Sequence, residues 1–152
     1  MSLNKAKVFT VTSVKGGVGK TTTVLNLAGI YSNMGKNVLI LDLDLYSSDI
    51  ASMLNINYKN DLYNLFEDLN NNSFDSIDDY ITSYNENIKV LSGLKDPRLS
   101  RKINSKVLDL VLYKSSMKYD VILIDTNHIL SDINLFALDY SDFILYVINN
   151  DS

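Results

Sequence analysis

The chain has 152 residues, of which 46% are hydrophobic and 21% are charged, and it carries a net charge of −4. This length is typical of one domain with its own core, and we assign residues 4–152 to that domain and residues 1–3 to a cloning scar. The acidic balance argues against nucleic-acid binding over the whole surface. Cysteine, long apolar runs and a signal-peptide pattern are all missing, which excludes disulfides and thiolate metal sites and predicts a soluble, cytoplasmic protein.

The predicted elements alternate between strand and helix along the chain. Apolar runs predict strands at residues 8–12, 38–41, 88–91, 121–124 and 143–148. Apolar residues at helical spacing predict helices at residues 21–33, 49–54, 62–69, 104–117 and 131–138. We further expect a short amphipathic helix around residues 74–84 and a loop at residues 93–102. Apolar strands separated by helices predict an α/β fold with a doubly wound, mostly parallel sheet and helices on both faces.

A glycine-rich segment joins the first predicted strand to the first predicted helix and reads SVKGGVGKTT over residues 13–22. Glycines let backbone N–H groups converge on a phosphate, and the positive end of the helix points at the same place. Lys20 would add an ammonium group for the β- and γ-phosphates, and Thr21 would add a hydroxyl for Mg²⁺. The sequence thus predicts a nucleoside-triphosphate site formed by Gly16, Gly17, Val18, Gly19, Lys20, Thr21 and Thr22.

Three carboxylates follow predicted strands and are expected at the same edge of the sheet. Asp42 and Asp44 follow the second strand, and Asp125 follows the fourth. Ligands of doubly wound sheets bind at the carboxyl ends of the strands, and residues two apart in an extended segment point the same way. The three carboxylates are therefore candidates for work at the nucleotide. The alternatives are a solvated strand-end carboxylate for Asp125 and a turn residue for Asp44.

The string KGGVGKTT, with Lys15 ahead of the glycines, resembles the deviant Walker A motif of the ParA/MinD ATPase superfamily. The resemblance extends from residue 8 to residue 148 and implies a P-loop NTPase fold that binds ATP and Mg²⁺. It also implies an ATP-dependent homodimer in which Lys15 reaches the nucleotide of the partner subunit. The alternative for Lys15 is a second phosphate contact within its own subunit. Superfamily members continue beyond the fifth strand, so we expect the C-terminal part of the domain to be missing here.

The same resemblance assigns roles to the carboxylates. Asp125 looks like a Walker B aspartate that joins Thr21 in holding the metal shell. Asp42 and Asp44 resemble the Walker A′ segment, in which Asp42 contributes to the outer shell of the metal and Asp44 orients the attacking water. Lys15, Lys20 and Asp44 are then the catalytic residues, and Thr21, Asp42 and Asp125 are the metal-site residues.

Within the superfamily, residues 42–51, 90–97 and 135–148 look most like the ATPase domain of CpaE/TadZ pilus-assembly proteins. This branch implies recruitment to a cell pole or to the inner face of the membrane by a partner from a pilus or secretion system. The alternatives are a DNA-partition ATPase and a nucleotide-binding scaffold that does not hydrolyse.

Two features lack a clear role in this assignment. Lys95, Arg98, Arg101 and Lys102 form a basic loop, which is either a solvated loop or a patch for an acidic partner or nucleic acid. His128 lies in the segment 126–128, where the superfamily often has proline. We expect His128 to be a loop residue without a mechanistic task, with phosphate sensing as the alternative.

Overall fold

A computed structural model describes residues 5–14 and 19–148. These residues form a six-stranded sheet with the order β3-β4-β2-β5-β1-β6. The strands are β1 (Lys7–Thr12), β2 (Val38–Leu43), β3 (Ile81–Ser83), β4 (Ile88–Leu91), β5 (Val121–Thr126) and β6 (Phe143–Tyr146). The helices are α1 (Lys20–Asn33), α2 (Ile50–Met53), α3 (Leu62–Asn70), α4 (Ser105–Ser115) and α5 (Asp132–Tyr140). All strand pairs are parallel except β3 with β4, so the predicted doubly wound sheet is confirmed.

The central strands are buried on both faces, and alternate residues enter two separate cores. In β2, Leu39 and Leu41 pack in the core that also contains residues of α3, α4 and α5, whereas Val38 and Ile40 pack in the core that contains residues of α1. This division follows from the two-residue period of a strand. Every residue of β2 and β5 is buried, which explains why the first four residues of each strand are apolar without alternation.

The prediction of a helix around residues 74–84 is wrong. Residues Ile77–Tyr80 form a single 3₁₀ turn, and the chain then pairs as β3 antiparallel to β4. Phe74 and Tyr80 do face each other, with ring centroids 5.9 Å apart, but their stacking closes a turn. The β-branched residues Ile81 and Thr82 suit the strand that follows. A second 3₁₀ turn, Pro97–Lys102, lies within the predicted loop.

The strand order places the site at the edge where β1 and β5 end. The connection through α1 leads from β1 to β2 on one side, whereas β6 lies on the other side of β1. Ligands of doubly wound sheets bind in the crevice at such a change of direction, outside the carboxyl ends of the strands. Among the helices of the described residues, none is long and apolar enough to cross a membrane.

Candidate functional site

Helix α1 begins at this edge of the sheet, directly after the glycine segment. Its N-cap is Gly19, with a φ of 86° that favours glycine, and no side chain of the described residues caps the helix. The first N–H groups of a helix have no partner within it, and together with the helix dipole they attract an anion. The start of α1 is therefore arranged for a phosphate.

Thr21 and Asp125 join α1 to the end of β5. The Thr21 hydroxyl donates to Oδ2 of Asp125 at 2.7 Å. Oδ1 of Asp125 is buried and accepts no hydrogen bond within the described residues. A hydroxyl beside a carboxylate with one free oxygen suits Mg²⁺, which takes oxygen ligands and often only one or two carboxylates. The structure thus brings these two predicted site residues into direct contact; their role at a metal stays a prediction.

Asp42 lies next to Asp125 in the sheet, since the two are register partners on β2 and β5. Asp42 is 2% exposed, and its two oxygens accept backbone N–H groups of Asp44, at 3.1 Å, and Ile50, at 3.3 Å. Its carboxylate therefore holds the turn that follows β2. A part for Asp42 in the outer shell of a metal stays a prediction.

Asp44 occupies a different environment from Asp42. Because β2 ends at Leu43, the side chains beyond it no longer alternate between the two faces of the sheet. The Asp44 side chain is partly exposed, lines the main cavity of this edge and accepts the backbone N–H of Ser47 at 3.2 Å. The structure thus separates two carboxylates that alternation alone placed together. Asp44 can reach a ligand in the cavity, and Asp42 supports it from below.

The cavity has a volume of about 400 Å³. Its walls are the start of α1, the turn after β2 and the segment after β5; the lining residues are Gly19, Lys20, Thr21, Thr22, Asp44, Tyr46, Ser47, Asp49, Asn127, His128 and Ile129. Lys20 is only 7% exposed, and its positive charge partly opposes the rise that burial causes in the pKa values of Asp44 and Asp125. A largely buried ammonium group at the start of a helix favours a polyanionic ligand.

Burial dominates the electrostatics of the carboxylates. It raises the pKa of Asp125 to about 6, and the hydrogen bond from Thr21 opposes this rise. Burial, followed by the charge of Asp125, raises the pKa of Asp42 well above its ordinary range. Burial also raises the pKa of Asp44, and the hydrogen bond from the Ser47 N–H and the charge of Lys20 oppose this rise. A divalent cation would relieve this crowding of negative charge.

The described residues contain no group of three histidine or acidic side chains that could hold a metal by themselves. A cation here would therefore need oxygen atoms from a ligand and from water. Mg²⁺ with nucleotide phosphates meets this condition, because it keeps several waters and is commonly bound through substrate phosphates.

Sequence reasoning missed a polar pair beside the cavity. Asn127 and Asn134 are both buried and hydrogen-bonded to each other. They are seven residues apart and match no motif, so only the folded structure reveals the pair. His128 is exposed and lines the cavity. The predicted site residues Lys15, Gly16, Gly17 and Val18 lie outside the described residues.

A family model described as an AAA domain matches residues 6–152. The sporulation initiation inhibitor protein Soj of Bacillus subtilis (strain 168) is 32% identical over 148 residues, which cover 91% of this chain and 56% of Soj. Among solved structures, a candidate plasmid partition protein of Borrelia burgdorferi B31 bound to AMPPNP is 28% identical, with a TM-score of 0.78, over 95% of this chain and 62% of that one.

The septum site-determining protein MinD of Pyrococcus horikoshii OT3, complexed with Mg-ADP, is also 28% identical, with a TM-score of 0.80, over 96% of this chain and 59% of that one. The chain thus spans between half and two thirds of the length of these relatives. The CpaE/TadZ branch stays a prediction. The family match, these relatives and the shared P-loop NTPase fold together assign the chain to the ParA/MinD-type P-loop ATPase family.

Proposed function

We propose that this chain is a Mg²⁺-dependent switch that binds and hydrolyses ATP and dimerises around it. The observation that carries the proposal is the Thr21–Asp125 hydrogen bond at a cavity that also contains Lys20 and Asp44. Phosphate binding, metal coordination and water orientation each have a residue of the right chemistry there. The complexes of related proteins with AMPPNP and Mg-ADP support adenine nucleotide and Mg²⁺ as ligands.

Each residue has a definite task in this proposal. The N–H groups at the start of α1 and the ammonium group of Lys20 bind phosphate oxygens, and Thr21 and Asp125 hold the metal. Bound Mg²⁺ would neutralise charge that develops on the phosphates. Asp44 accepts a hydrogen bond from the attacking water and orients it. Asp42 keeps the turn that carries Asp44 in place through its hydrogen bond to the Asp44 N–H.

Release of inorganic phosphate tests hydrolysis. The assay uses the protein with Mg-ATP at high protein concentration, which favours a dimer. We expect turnover in the wild type, no ATP binding by Lys20→Ala, and ATP binding without turnover by Asp44→Ala. Lys36→Ala and Asp139→Ala are matched controls, because both side chains are exposed and away from the cavity. Tight ATP binding without turnover in the wild type would instead identify a scaffold that does not hydrolyse.

Dimerisation is tested by size-exclusion chromatography with light scattering on Asp44→Ala. Because this variant is expected to retain ATP, Mg-ATP should convert monomer to dimer. The additional substitution Lys15→Ala should abolish the shift, since Lys15 is proposed to reach the nucleotide of the partner subunit. A dimer that survives Lys15→Ala would favour the local phosphate contact.

The cargo of the switch has two candidates. Residues 42–51 and 90–97 resemble CpaE/TadZ proteins and support the positioning of a pilus or secretion apparatus. The name of the plasmid-partition relative supports DNA partition. Lys95 lies over the ring of Tyr58 and Lys102 over that of Tyr63, and such basic-aromatic pairs suit nucleic acid. A gel shift with ATP over a salt series separates the two candidates, because DNA binding weakens steeply with salt.

A further inference from the structure

The buried amides of Asn127 and Asn134 fix each other's orientation. Nδ2 of Asn134 donates to Oδ1 of Asn127 at 2.6 Å and to the backbone oxygen of Ile129 at 2.7 Å. Both partners are oxygens, so the nitrogen of Asn134 must face them. The Asn134 side chain belongs to α5 and therefore ties this helix to the segment that follows β5.

The orientation of Asn127 follows from the same contacts. Its Oδ1 accepts from Asn134 and also from the backbone N–H of Ile129, at 3.0 Å. Two donors therefore face this oxygen, and a reversed amide would point its own donors at them. The Asn127 amide thus has one stable orientation, although the residue lies in a loop.

The nitrogen of Asn127 is the part of the amide left for a ligand. Within the described residues, no group accepts a hydrogen bond from its Nδ2. Asn127 lines the cavity of about 400 Å³ together with Lys20 and Thr21. Asn134 does not line this cavity, but it lines a second one, of about 200 Å³, together with Asn127. Because the oxygen of Asn127 already accepts from Asn134 and from the Ile129 N–H, its nitrogen is the polar atom of this amide that remains for a ligand in the first cavity.

We propose that Asn127 donates a hydrogen bond from Nδ2 to a phosphate oxygen of the bound nucleotide, and that Asn134 is the positioning residue that keeps this donor turned toward the cavity. The inference rests on the proposed nucleotide binding. A phosphate oxygen is a charged acceptor, and a neutral donor matches it without adding to the charge of Lys20. Asn127 lies in the segment 126–128, where the superfamily often has proline, and its amide thus supplies this chain with an additional phosphate contact.

The test is the affinity for Mg-AMPPNP, measured by isothermal titration calorimetry. We expect Asn127→Ala to weaken binding about 10-fold to 100-fold, as for the loss of a hydrogen bond to a charged group. Asn127→Asp should weaken it further, because the new carboxylate repels phosphate while its oxygen still accepts from Asn134. Asn71→Asp is the matched control, because Asn71 is exposed and lies outside the cavity; it should bind like the wild type.

Asn134→Asp tests positioning from outside the cavity. The new carboxylate would face Oδ1 of Asn127 and attract its NH₂ group instead, so the amide should turn and present its oxygen to the phosphate. We expect a loss of affinity similar to that of Asn127→Ala, with the fold retained in a thermal melt. The side-chain ¹⁵N signal of Asn127, assigned from its absence in Asn127→Ala, should shift when Mg-AMPPNP binds the wild type.

Binding of Asn127→Ala and Asn127→Asp within twofold of the wild type, or an unchanged ¹⁵N signal, would overturn the phosphate contact. Full affinity in Asn134→Asp would overturn the positioning role alone. If the wild type itself failed to bind Mg-AMPPNP, the proposed function would be overturned and the phosphate contact with it. Hydrogen exchange at the Ile129 amide, faster in Asn134→Ala than in the wild type without nucleotide, would still test the pair independently.

Discussion

Asp125→Asn should stabilise the nucleotide-free protein while it impairs the proposed metal site. Asp125 is 1% exposed and ionises in the folded state with a pKa of about 6, against an ordinary 3.8. Its negative charge therefore opposes folding at neutral pH. Asparagine has nearly the same shape and keeps an oxygen for the Thr21 hydroxyl, so the substitution removes the charge with little repacking.

The size of the effect follows from the difference in pKa. A shift from 3.8 to about 6 corresponds to about 3 kcal/mol, at about 1.4 kcal/mol per unit. Because the folded pKa is the higher one, the penalty is absent below pH 3.8 and complete above about pH 6. The expected gain of the variant is thus about 3 kcal/mol at pH 8 and roughly half of that at pH 5.

Thermal melts of the nucleotide-free protein in the presence of a chelator measure this gain. For a chain of this length about 3 kcal/mol corresponds to a rise in Tm of about 6–12 °C. Asp139→Asn is the matched control, since Asp139 is exposed on α5; it should leave Tm nearly unchanged. Adding Mg-ADP should stabilise the wild type more than Asp125→Asn, because only the wild type retains the carboxylate for the metal.

Two results would refute this reasoning. An unchanged or lower Tm of Asp125→Asn at pH 8 would mean that the buried charge does not cost stability. A gain that is equal at pH 5 and pH 8 would mean that something other than ionisation of Asp125 causes it.

Three further substitutions test the support of the site, each by urea unfolding and by titration with Mg-AMPPNP. Asp61→Ala should lower the free energy of unfolding by about 2–4 kcal/mol, because the Asp61 carboxylate caps α3 and accepts the Lys95 backbone N–H at 2.9 Å. A loss below about 1 kcal/mol would contradict the capping role. Gly93→Ala should lower the free energy of unfolding by about 1–3 kcal/mol and weaken nucleotide binding. The added Cβ would collide with Ser48 and lie 2.9 Å from the backbone oxygen at the end of β2. Wild-type nucleotide affinity in this variant would show that the site does not depend on this close approach. Leu108→Ala, in the core beneath α4, should cost about 2–5 kcal/mol with nucleotide affinity unchanged, and a selective loss of affinity would contradict its purely structural role.

Much of the fold is predictable because its determinants are local. Strands such as β2 and β5 are buried on both faces, so their apolar runs are visible in the sequence. The residues between 74 and 84 have an apolar spacing that suits a helix, yet Ile81–Ser83 pairs with β4 instead. Pairing with the edge of β4 stabilises β3, and the sequence of residues 74–84 does not indicate that such an edge lies nearby.

The sequence by itself determined where the chemistry of the site lies. A glycine segment before a helix and carboxylates at the ends of apolar strands can both be recognised from neighbouring residues. They predict polar groups at one edge of the sheet, and Thr21 and Asp125 are in contact there. Only the tertiary structure shows which carboxylate lines the cavity. Only the tertiary structure shows, too, that Asn134 fixes Asn127 through a hydrogen bond. The physical reason is that burial and hydrogen-bond partners depend on how separate elements, such as β2, β5 and α5, pack together. Burial raises the pKa of Asp125, and hydrogen bonds fix an amide in a loop; neither effect can be read from the residues alone.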